Sequence, residues 1–305
     1  MLKRRKDMKE DAKRAKTDLV LAKRGGREDK GQESVRAGRT VEEMAEDIRI
    51  HGGVLMPEVL RRAVLGGMEV TQNKYGKSEN IVVMGCFCFG VLLTVRSFCL
   101  LLNRLGVDYA FMRKEHCCGA PILTELHTTG QDLNRGNEYT KEFMGMNIAQ
   151  AREQGAKNMI YFCIWCGMLG KRFFSDSDLK QLFFADVLVD RLKDVKLKLN
   201  ARVGYYRGCL SAASIYQRDA QLLDFPAYRK ILDRVEGLEV VDIPDHYCCK
   251  VAPKAIFARA EKEGLDTIVC ICNDCYGRLQ RSAPPGMKVR FLSDILLDAA
   301  GGHSR

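Results

Sequence analysis

The sequence lacks several features that would each indicate a particular class of protein. Its first residues, MLKRRKDMKEDAKRAK, contain neither the apolar stretch nor the cleavage site of a secretory signal. The most apolar run, residues 89–106, is interrupted by Arg96 and Arg104 and is too short to span a bilayer, so we interpret it as a buried helix. We therefore expect a cytoplasmic protein without a membrane span.

Aromatic side chains are absent from residues 1–40, although this segment is strongly basic. It contains 14 Lys and Arg against 7 Asp and Glu, which is +7 of the net charge of +10. With no aromatic side chains to stack on bases, and no recognised nucleic-acid module after it, nucleic acid is not an expected partner. We predict a basic, partly disordered arm, which either keeps the protein in solution or docks a partner.

Cysteine, in contrast, is abundant, with 13 in 305 residues. Structural disulfides are rare in a reducing cytoplasm, so this number indicates metal or cluster ligation, or redox chemistry. The chain is 46% hydrophobic and long enough to bury a full core. We expect two modest α/β units rather than a small disulfide-stapled module.

The chain is predicted to be a helical extension followed by two α/β units. Residues 41–80 contain no cysteine; Thr40 and Glu43 form a candidate capping box, and Met44 and Ile48 share one helical face. Short apolar runs then indicate buried parallel strands at 81–85, 107–111, 159–163, 202–206, 238–243, 267–271 and 288–292. The predicted fold is α/β, with two tandem Rossmann-like units at residues 81–200 and 201–305, each with a small parallel sheet.

The cysteines repeat along with the predicted strands. Five thiols follow three successive strands in each half, and ligands bind at this edge of open parallel sheets. Five converging thiols are too many for one tetrahedral zinc or an ordinary four-cysteine cluster, and suit a larger, irregular iron–sulfur group. The first set is Cys86, Cys117, Cys118, Cys163 and Cys166, and the second set is Cys209, Cys248, Cys249, Cys272 and Cys275.

This doubled pattern, with HCCGAP at 116–121 and CIWC at 163–166, resembles the cysteine-rich CCG domain family. In architecture it is most similar to the B subunit of heterodisulfide reductase, over about residues 81–300. The resemblance implies a noncubane [4Fe–4S] cluster on each set and an oxidoreductase subunit that cleaves the disulfide of coenzymes M and B in methanogenesis, or acts on a related persulfide or trisulfide. Cys117, Cys118, Cys248 and Cys249 would then be catalytic ligands, with His116 as a proton donor.

The second set departs from the family pattern in two ways. Lys250 follows its cysteine pair, whereas Gly119 follows the first pair, and 44 residues separate Cys118 from Cys163 against 22 between Cys249 and Cys272. The second site would hold either the same cluster, a different cluster or zinc. Lys250 either lies beside the bound group and raises its potential or is an exposed loop lysine.

Three cysteines and one histidine outside the pattern have open roles. Cys99 is expected in the core, while Cys88 and Cys270 each lie two residues from a proposed ligand and could replace it. His246 precedes the second pair, as His116 precedes the first. A histidine that orients a ligand is the alternative to a proton donor at both positions.

The expected partners follow from the absence of ferredoxin-type cysteines before Cys86. Residues 57–76 resemble the helical tail that follows the ferredoxin-like clusters of the reductase's C subunit, yet no cysteine precedes Cys86. Electrons would therefore come from a separate ferredoxin-like or flavin-bearing subunit, and the substrate would be a small disulfide or thiol. The alternatives are a non-catalytic electron-transfer or cluster-assembly subunit, and a zinc-stabilised interaction module.

Overall fold

The computed structural model describes residues 38–54, 58–68, 70, 75–86, 91–208, 221–244 and 247–302. Most of the predicted basic arm lies outside these residues, as do Cys88, Cys209 and His246. The described part forms eleven helices and eight strands. None of its helices combines the length and the hydropathy that crossing a membrane requires.

After an N-terminal helical pair, strands and helices alternate, except for two consecutive helices between the second and third strands. The helices are α1 (Val41–His51), α2 (Glu58–Gly67), α3 (Leu92–Arg104), α4 (Ala120–Thr128), α5 (Leu133–Glu153), α6 (Ile164–Phe174), α7 (Phe184–Arg191), α8 (Phe225–Asp233), α9 (Pro253–Lys262), α10 (Asn273–Ser282) and α11 (Leu292–Ala299). The strands are β1 (Asn80–Val83), β2 (Ala110–Phe111), β3 (Asn158–Tyr161), β4 (Lys180–Phe183), β5 (Lys198–Tyr206), β6 (Glu236–Ile243), β7 (Thr267–Cys270) and β8 (Lys288–Phe291).

Helix α1 begins at the predicted capping box. The Thr40 hydroxyl accepts the Glu43 N–H at 3.2 Å, and the Glu43 carboxylate accepts the Thr40 N–H at 2.7 Å. The helix ends at Gly52, whose left-handed φ of 79° suits glycine. Met44 and Ile48 are buried on the inner face, as the sequence periodicity predicts.

The two sheets have the same parallel topology. The first has the strand order β2-β1-β3-β4 and the second β6-β5-β7-β8. In each sheet, the first strand pairs with the second strand on one side and with the third strand on the other. The strand order therefore reverses between the first and third strands, and this is the switch point of the sheet. The α/β class with two tandem Rossmann-like units and an N-terminal helical start is confirmed.

Two strands of the first sheet differ from the sequence prediction by more than two residues at an end. Strand β2 covers 110–111 rather than 107–111, because the Val107 N–H still bonds to Leu102 O and closes the end of α3. Strand β4 was not predicted at all. It precedes α7 as β8 precedes α11, and in both units an aspartate accepts the N–H before the helix: Asp186 from Phe183 and Asp294 from Phe291.

The two units pack against each other through a shared core. The rings of Phe162 and Phe184 in the first unit lie 5.2 and 5.4 Å from the ring of Phe291 in the second. Nearby, the buried hydroxyls of Ser97 in α3 and Ser293 in α11 bond to each other at 2.8 Å. Buried aromatic contacts of this kind stabilise the pairing of the units beyond the apolar area they bury.

Candidate functional site

The structure brings the five thiols of the first set into one buried group. The sulfurs of Cys86 and Cys117 lie 3.5 Å apart. The sulfurs of Cys163 and Cys166 both lie close to Gly85, at 3.3 and 3.2 Å from the position of a Cβ there, and Cys118 is near enough to Cys117 and Cys166 to shift their pKa values. None of the five residues is more than 6% exposed. These thiols follow β1, β2 and β3, so they meet at the ligand-binding edge of the sheet, beside its switch point.

A glycine lets the loop after β1 approach the CIWC segment. Gly85 has φ 79°, and a Cβ there would lie only 2.5 Å from the Cβ of Cys163 and 3.2 Å from the sulfur of Cys166. Glycine tolerates this backbone conformation and fills no space. Cys163 lies at the N-cap of α6 and Cys166 in its first turn, so the start of that helix holds both thiols against Cys86's loop.

The adjacent cysteines turn toward different partners. The sulfur of Cys117 lies 3.5 Å from that of Cys86, whereas the pKa of Cys118 responds to Cys166. Gly119, with φ 82°, follows them at the N-cap of α4, and the peptide turns there into the helix. The pair therefore places one sulfur next to the loop after β1 and the other next to the start of α6. A single cysteine could not reach both.

Negative charge is favoured at two of the five sulfurs. The pKa of Cys117 is held well below its ordinary value by hydrogen bonds from Cys118 and Cys86, and also by the Gly119 N–H and the positive charge of Arg61. The pKa of Cys163 is lowered in the same direction, first by its hydrogen bond with Cys166. Hydrogen bonds to a charged form favour that form.

The other three thiols of the first set hold their protons. Hydrogen bonding to Cys117 raises the pKa of Cys86 and of Cys118, and hydrogen bonding to Cys118 raises that of Cys166; burial adds to the shift in each. The group can therefore carry negative charge while remaining protonated in part. Metal or cluster binding would displace those protons, because ligation requires thiolates.

The second set shows a partial counterpart. The Cys249 thiol donates to the sulfur of Cys275 at 3.3 Å, and the Cys275 N–H donates to the sulfur of Cys272, the N-cap of α10, at 3.5 Å. Cys248 is half-buried. Gly208 has φ 97°, and a Cβ there would lie 3.4 Å from the sulfur of Cys275, so this glycine corresponds to Gly85.

The structure also shows the positions of Lys250, Cys99 and Cys270. Lys250 is exposed in a turn in which the N–H groups of Val251 and Ala252 donate to Cys248 O. This favours the exposed-loop interpretation of that lysine. Cys99 is fully buried in the core, as expected, and Cys270 is fully buried at the end of β7, where burial raises the pKa of its thiol well above the ordinary value.

His116 is anchored to helix α5. Its backbone N–H donates to the side-chain oxygen of Asn147 at 2.7 Å, and the Asn147 amide donates back to His116 O at 2.8 Å. Burial, followed by the charge of Lys114, lowers the pKa of its imidazole. The neutral ring is therefore the resting form at neutral pH, and the tentative role as proton donor stays a prediction.

Sequence reasoning missed two buried charged residues beside the first set. Glu115 is 2% exposed and Arg61, in α2, is 1% exposed. Glu115 lies two residues before the pair Cys117–Cys118, so its proximity was readable from the sequence. Nothing in the spacing of the chain connects residue 61 to residue 115.

The donor set of the first site suits an iron–sulfur group. Its five candidate ligands are all sulfur, and they are buried together, which is the chemistry that such groups use. Among the described His, Cys, Asp and Glu side chains, no three are arranged as they stand to hold a single metal ion. The assignment of individual cysteines as ligands in either set stays a prediction.

Comparison with known proteins supports the resemblance read from the sequence. The model of the cysteine-rich domain family (CCG) matches residues 94–169, which contain Cys117, Cys118, Cys163 and Cys166. Lactate utilization protein A from Geobacillus sp. (strain WCH70) is 24% identical over an alignment of 238 residues, covering 64% of this chain and 89% of that protein. These matches confirm the resemblance to the CCG family and indicate an iron–sulfur, redox-related protein.

Solved structures give only weak similarities. A protein described as an Asp/Glu racemase, from Yersinia pestis, has a TM-score of 0.39 at 11% identity, covering 73% of this chain and 97% of that one. An aspartate racemase homologue from Pyrococcus horikoshii OT3 has a TM-score of 0.35 at 13% identity, with the same two coverages. Similarity at this level carries no argument about function.

Proposed function

We propose that this protein is an iron–sulfur subunit of a redox complex that reduces a disulfide or a related sulfur compound, similar to heterodisulfide reductase. The observation that carries the proposal is the burial of all five thiols of the first set at one sheet edge, where Cys86 and Cys117 are 3.5 Å apart and the sulfurs of Cys163 and Cys166 lie beside Gly85. The five would hold one noncubane [4Fe–4S] cluster. When bound, such a group supplies one-electron steps, into which the two-electron reduction of a disulfide can be divided.

The second set would hold a second group. Cys275 contacts both Cys249, through its sulfur, and Cys272, through its backbone N–H, and Cys248 lies in the same turn as Lys250. Cys209 is the fifth proposed ligand and lies outside the described residues. The proposed group is a second noncubane cluster, with zinc as the alternative that metal analysis would distinguish.

The overall reaction determines what the partners must supply. Breaking one S–S bond to give two thiols consumes two electrons and two protons. The electrons would come from a ferredoxin-like or flavin-bearing subunit, and the protons from water or from His116. The protein's own residues would hold the cluster and exclude water from the first set, whose sulfurs are buried.

Spectroscopy of the anaerobically purified protein tests this reaction. We expect coenzyme M, coenzyme B or a small persulfide to perturb the paramagnetic spectrum of the oxidised protein, and to broaden it when the sulfur carries a magnetic isotope. A spectrum unchanged by all three would count against a sulfur substrate.

The near-complete burial of the first set favours a second candidate function, an electron-transfer subunit of a larger complex. A relay needs its cluster shielded from ligands, and no thiol of this set is more than 6% exposed. The relative is named for lactate utilization, so oxidation of a hydroxy acid by a partner is a candidate electron source. Reduction of the clusters by lactate plus partner proteins, with no response to thiols, would favour this function.

The basic arm is proposed as a docking element for the partner subunit. Residues 1–40 carry +7 of the net charge, and an acidic partner surface would attract them. Deleting these residues should weaken co-purification with partners and leave the iron content unchanged. Undiminished co-purification of the truncated protein would contradict this role.

A further inference from the structure

Two buried charged residues connect the helical extension to the first cysteine set. The Arg61 guanidinium, in α2, donates to the backbone carbonyl of Glu115 at 2.7 Å and lies 3.7 Å from its carboxylate. The side chains are 1% and 3% exposed. Burying an ion pair removes both ions from water, and this desolvation can outweigh their attraction, so the pair is weak evidence of a role in stability alone.

Glu115 connects the two loops that carry the first cysteines. Its carboxylate oxygens accept the N–H of Gly85 at 2.6 Å and that of Met84 at 2.9 Å. Gly85 immediately precedes Cys86, and Glu115 itself lies two residues before Cys117. The carboxylate therefore holds both loops in register while Arg61 holds the carboxylate.

Other contacts place the extension directly over the first set. The Cys117 N–H donates to Gly52 O, at the end of α1, at 2.7 Å. Cys86 and Cys117 belong to the same buried apolar cluster as Met44, Ala45 and Ile48 of α1. The extension is thus part of the wall of this site.

The charge balance of the site explains why a cation is placed there. Glu115 neutralises Arg61 formally, yet cysteines that ligate a metal group do so as thiolates and add negative charge. Arg61 is linked to these cysteines through Glu115, which bonds to the N–H of Gly85 next to Cys86. In the second set, the residue two positions before the pair is His246 rather than a glutamate.

We propose that Arg61 is the charge-compensating residue of the first site, positioned by Glu115, and that it raises the reduction potential of the iron–sulfur group held by the first cysteine set. This inference rests on the proposed function. A nearby cation favours the more negative, reduced form of such a group. Arg61 acts on the group through its charge and is not one of its ligands.

The test compares Arg61→Gln with Arg61→Lys and with the control Arg62→Gln in anaerobically purified full-length protein. Arg62 is the next residue in α2 and is exposed. We expect Arg61→Gln to lower the equilibrium constant for reducing the first site about tenfold, which is 59 mV for one electron. Arg61→Lys keeps the charge and should restore most of the potential, and Arg62→Gln should leave it unchanged.

A second pair of variants keeps the test decisive if Arg61→Gln does not fold. The variant Glu115→Gln keeps the positive charge of Arg61, and the double variant Arg61→Gln/Glu115→Gln lacks it. In neither variant is Glu115 left as an unpaired buried anion. The potential should be lower in the double variant. Equal reduction potentials in these two variants would overturn the inference, as would an Arg61→Lys potential no higher than that of Arg61→Gln. In either case, a normal iron content would still support the proposed function. Wild-type protein without iron would overturn both.

Discussion

The two cysteine sites share one topology but differ in their surroundings. Each follows the first, second and third strands of a sheet with the same strand order. The first site is lined by α1 and α2 and contains a buried arginine and glutamate, and its five thiols are all buried. At the second site, Cys248 is half-buried and an exposed lysine follows the pair.

This difference shows which properties come from the repeated fold and which come from the extension. The repeat supplies the strand ends, the glycine before the first cysteine and the CxxC at a helix start, all of which occur in both units. The extension packs over the first set through Met44, Ala45 and Ile48 and supplies Arg61. The electrostatic environment of the two sites should therefore differ although their backbones are alike.

The largest expected effect comes from removing one thiol of the first pair. Cys117→Ser should abolish the noncubane cluster at the first site, because Cys117 links Cys86 to Cys118. We expect a loss of about four irons per chain, measured by iron analysis and by the paramagnetic spectrum.

Cys99→Ala is the matched control for that variant. Cys99 is also fully buried, but it lies in the core outside both sets. Its iron content should equal that of the wild type. Full iron in Cys117→Ser would mean that the proposed ligation of the first site is wrong.

Replacing the glycine before the first cysteine of the first set tests how closely that site is packed. Gly85→Ala would place a Cβ 2.5 Å from the Cβ of Cys163, so steric strain adds to the cost of a left-handed backbone. We expect a loss of about 3 kcal/mol in the free energy of unfolding, from overpacking and backbone strain together. Denaturant unfolding followed by circular dichroism measures it.

Substitutions at Gly155 and Gly208 separate the steric cost of an added Cβ from the cost of a left-handed backbone. Gly155 has the same φ of 79° but no atom within 4 Å of an added Cβ, so Gly155→Ala should cost only about 1 kcal/mol. Gly208→Ala would bring its Cβ to 3.4 Å from the sulfur of Cys275 and should fall close to the Gly155 value. Equal losses at Gly85 and Gly155 would refute the close packing described for the first site.

Much of this architecture was readable from the sequence, because its signals are local. The capping box at Thr40 and Glu43, the α/β alternation and the cysteine pattern each occupy a short stretch. Strand β4 was missed although FFADVLVD (183–190) parallels FLSDILLD (291–298), where a strand was predicted. Comparing these two segments would have revealed it.

The part of the site that was not predicted depends on distant contacts. Arg61 and Glu115 are 54 residues apart, and their pairing arises only when α2 packs against the loop after β2. No periodicity or motif records such a contact. The same holds for Asn147 in α5, which fixes the backbone of His116.

A smaller effect is expected from the residue that follows the second pair. Because Lys250 is exposed in a turn, Lys250→Gly should change the free energy of unfolding by less than about 1 kcal/mol and leave the iron content unaltered. Iron analysis and denaturant unfolding check both statements. A loss of iron would show that the lysine contributes to the second site after all.

The smallest expected effect concerns an ion pair that holds the extension against α5. Arg49 in α1 contacts both carboxylate oxygens of Glu142, at 2.6 and 2.9 Å, and this lowers the pKa of Glu142. Both side chains are about one-third exposed, so the pair should contribute only about 0.5 kcal/mol.

The pH dependence of that contribution has a definite sign. A lowered pKa in the folded state means that the stabilisation is present above the ordinary value of 4.5 and is lost as pH falls through the lower, folded value. Glu142→Gln should therefore be less stable than the wild type at pH 7 and equal to it at about pH 2. A difference that persists at low pH would assign the effect to packing rather than charge.

Metal and sulfide analysis of the anaerobically purified protein tests the central claim most directly. If both cysteine sets hold [4Fe–4S] groups, the protein should contain about eight irons and a matching amount of acid-labile sulfide per chain; about four irons would indicate one group. Zinc without iron or sulfide would contradict the account.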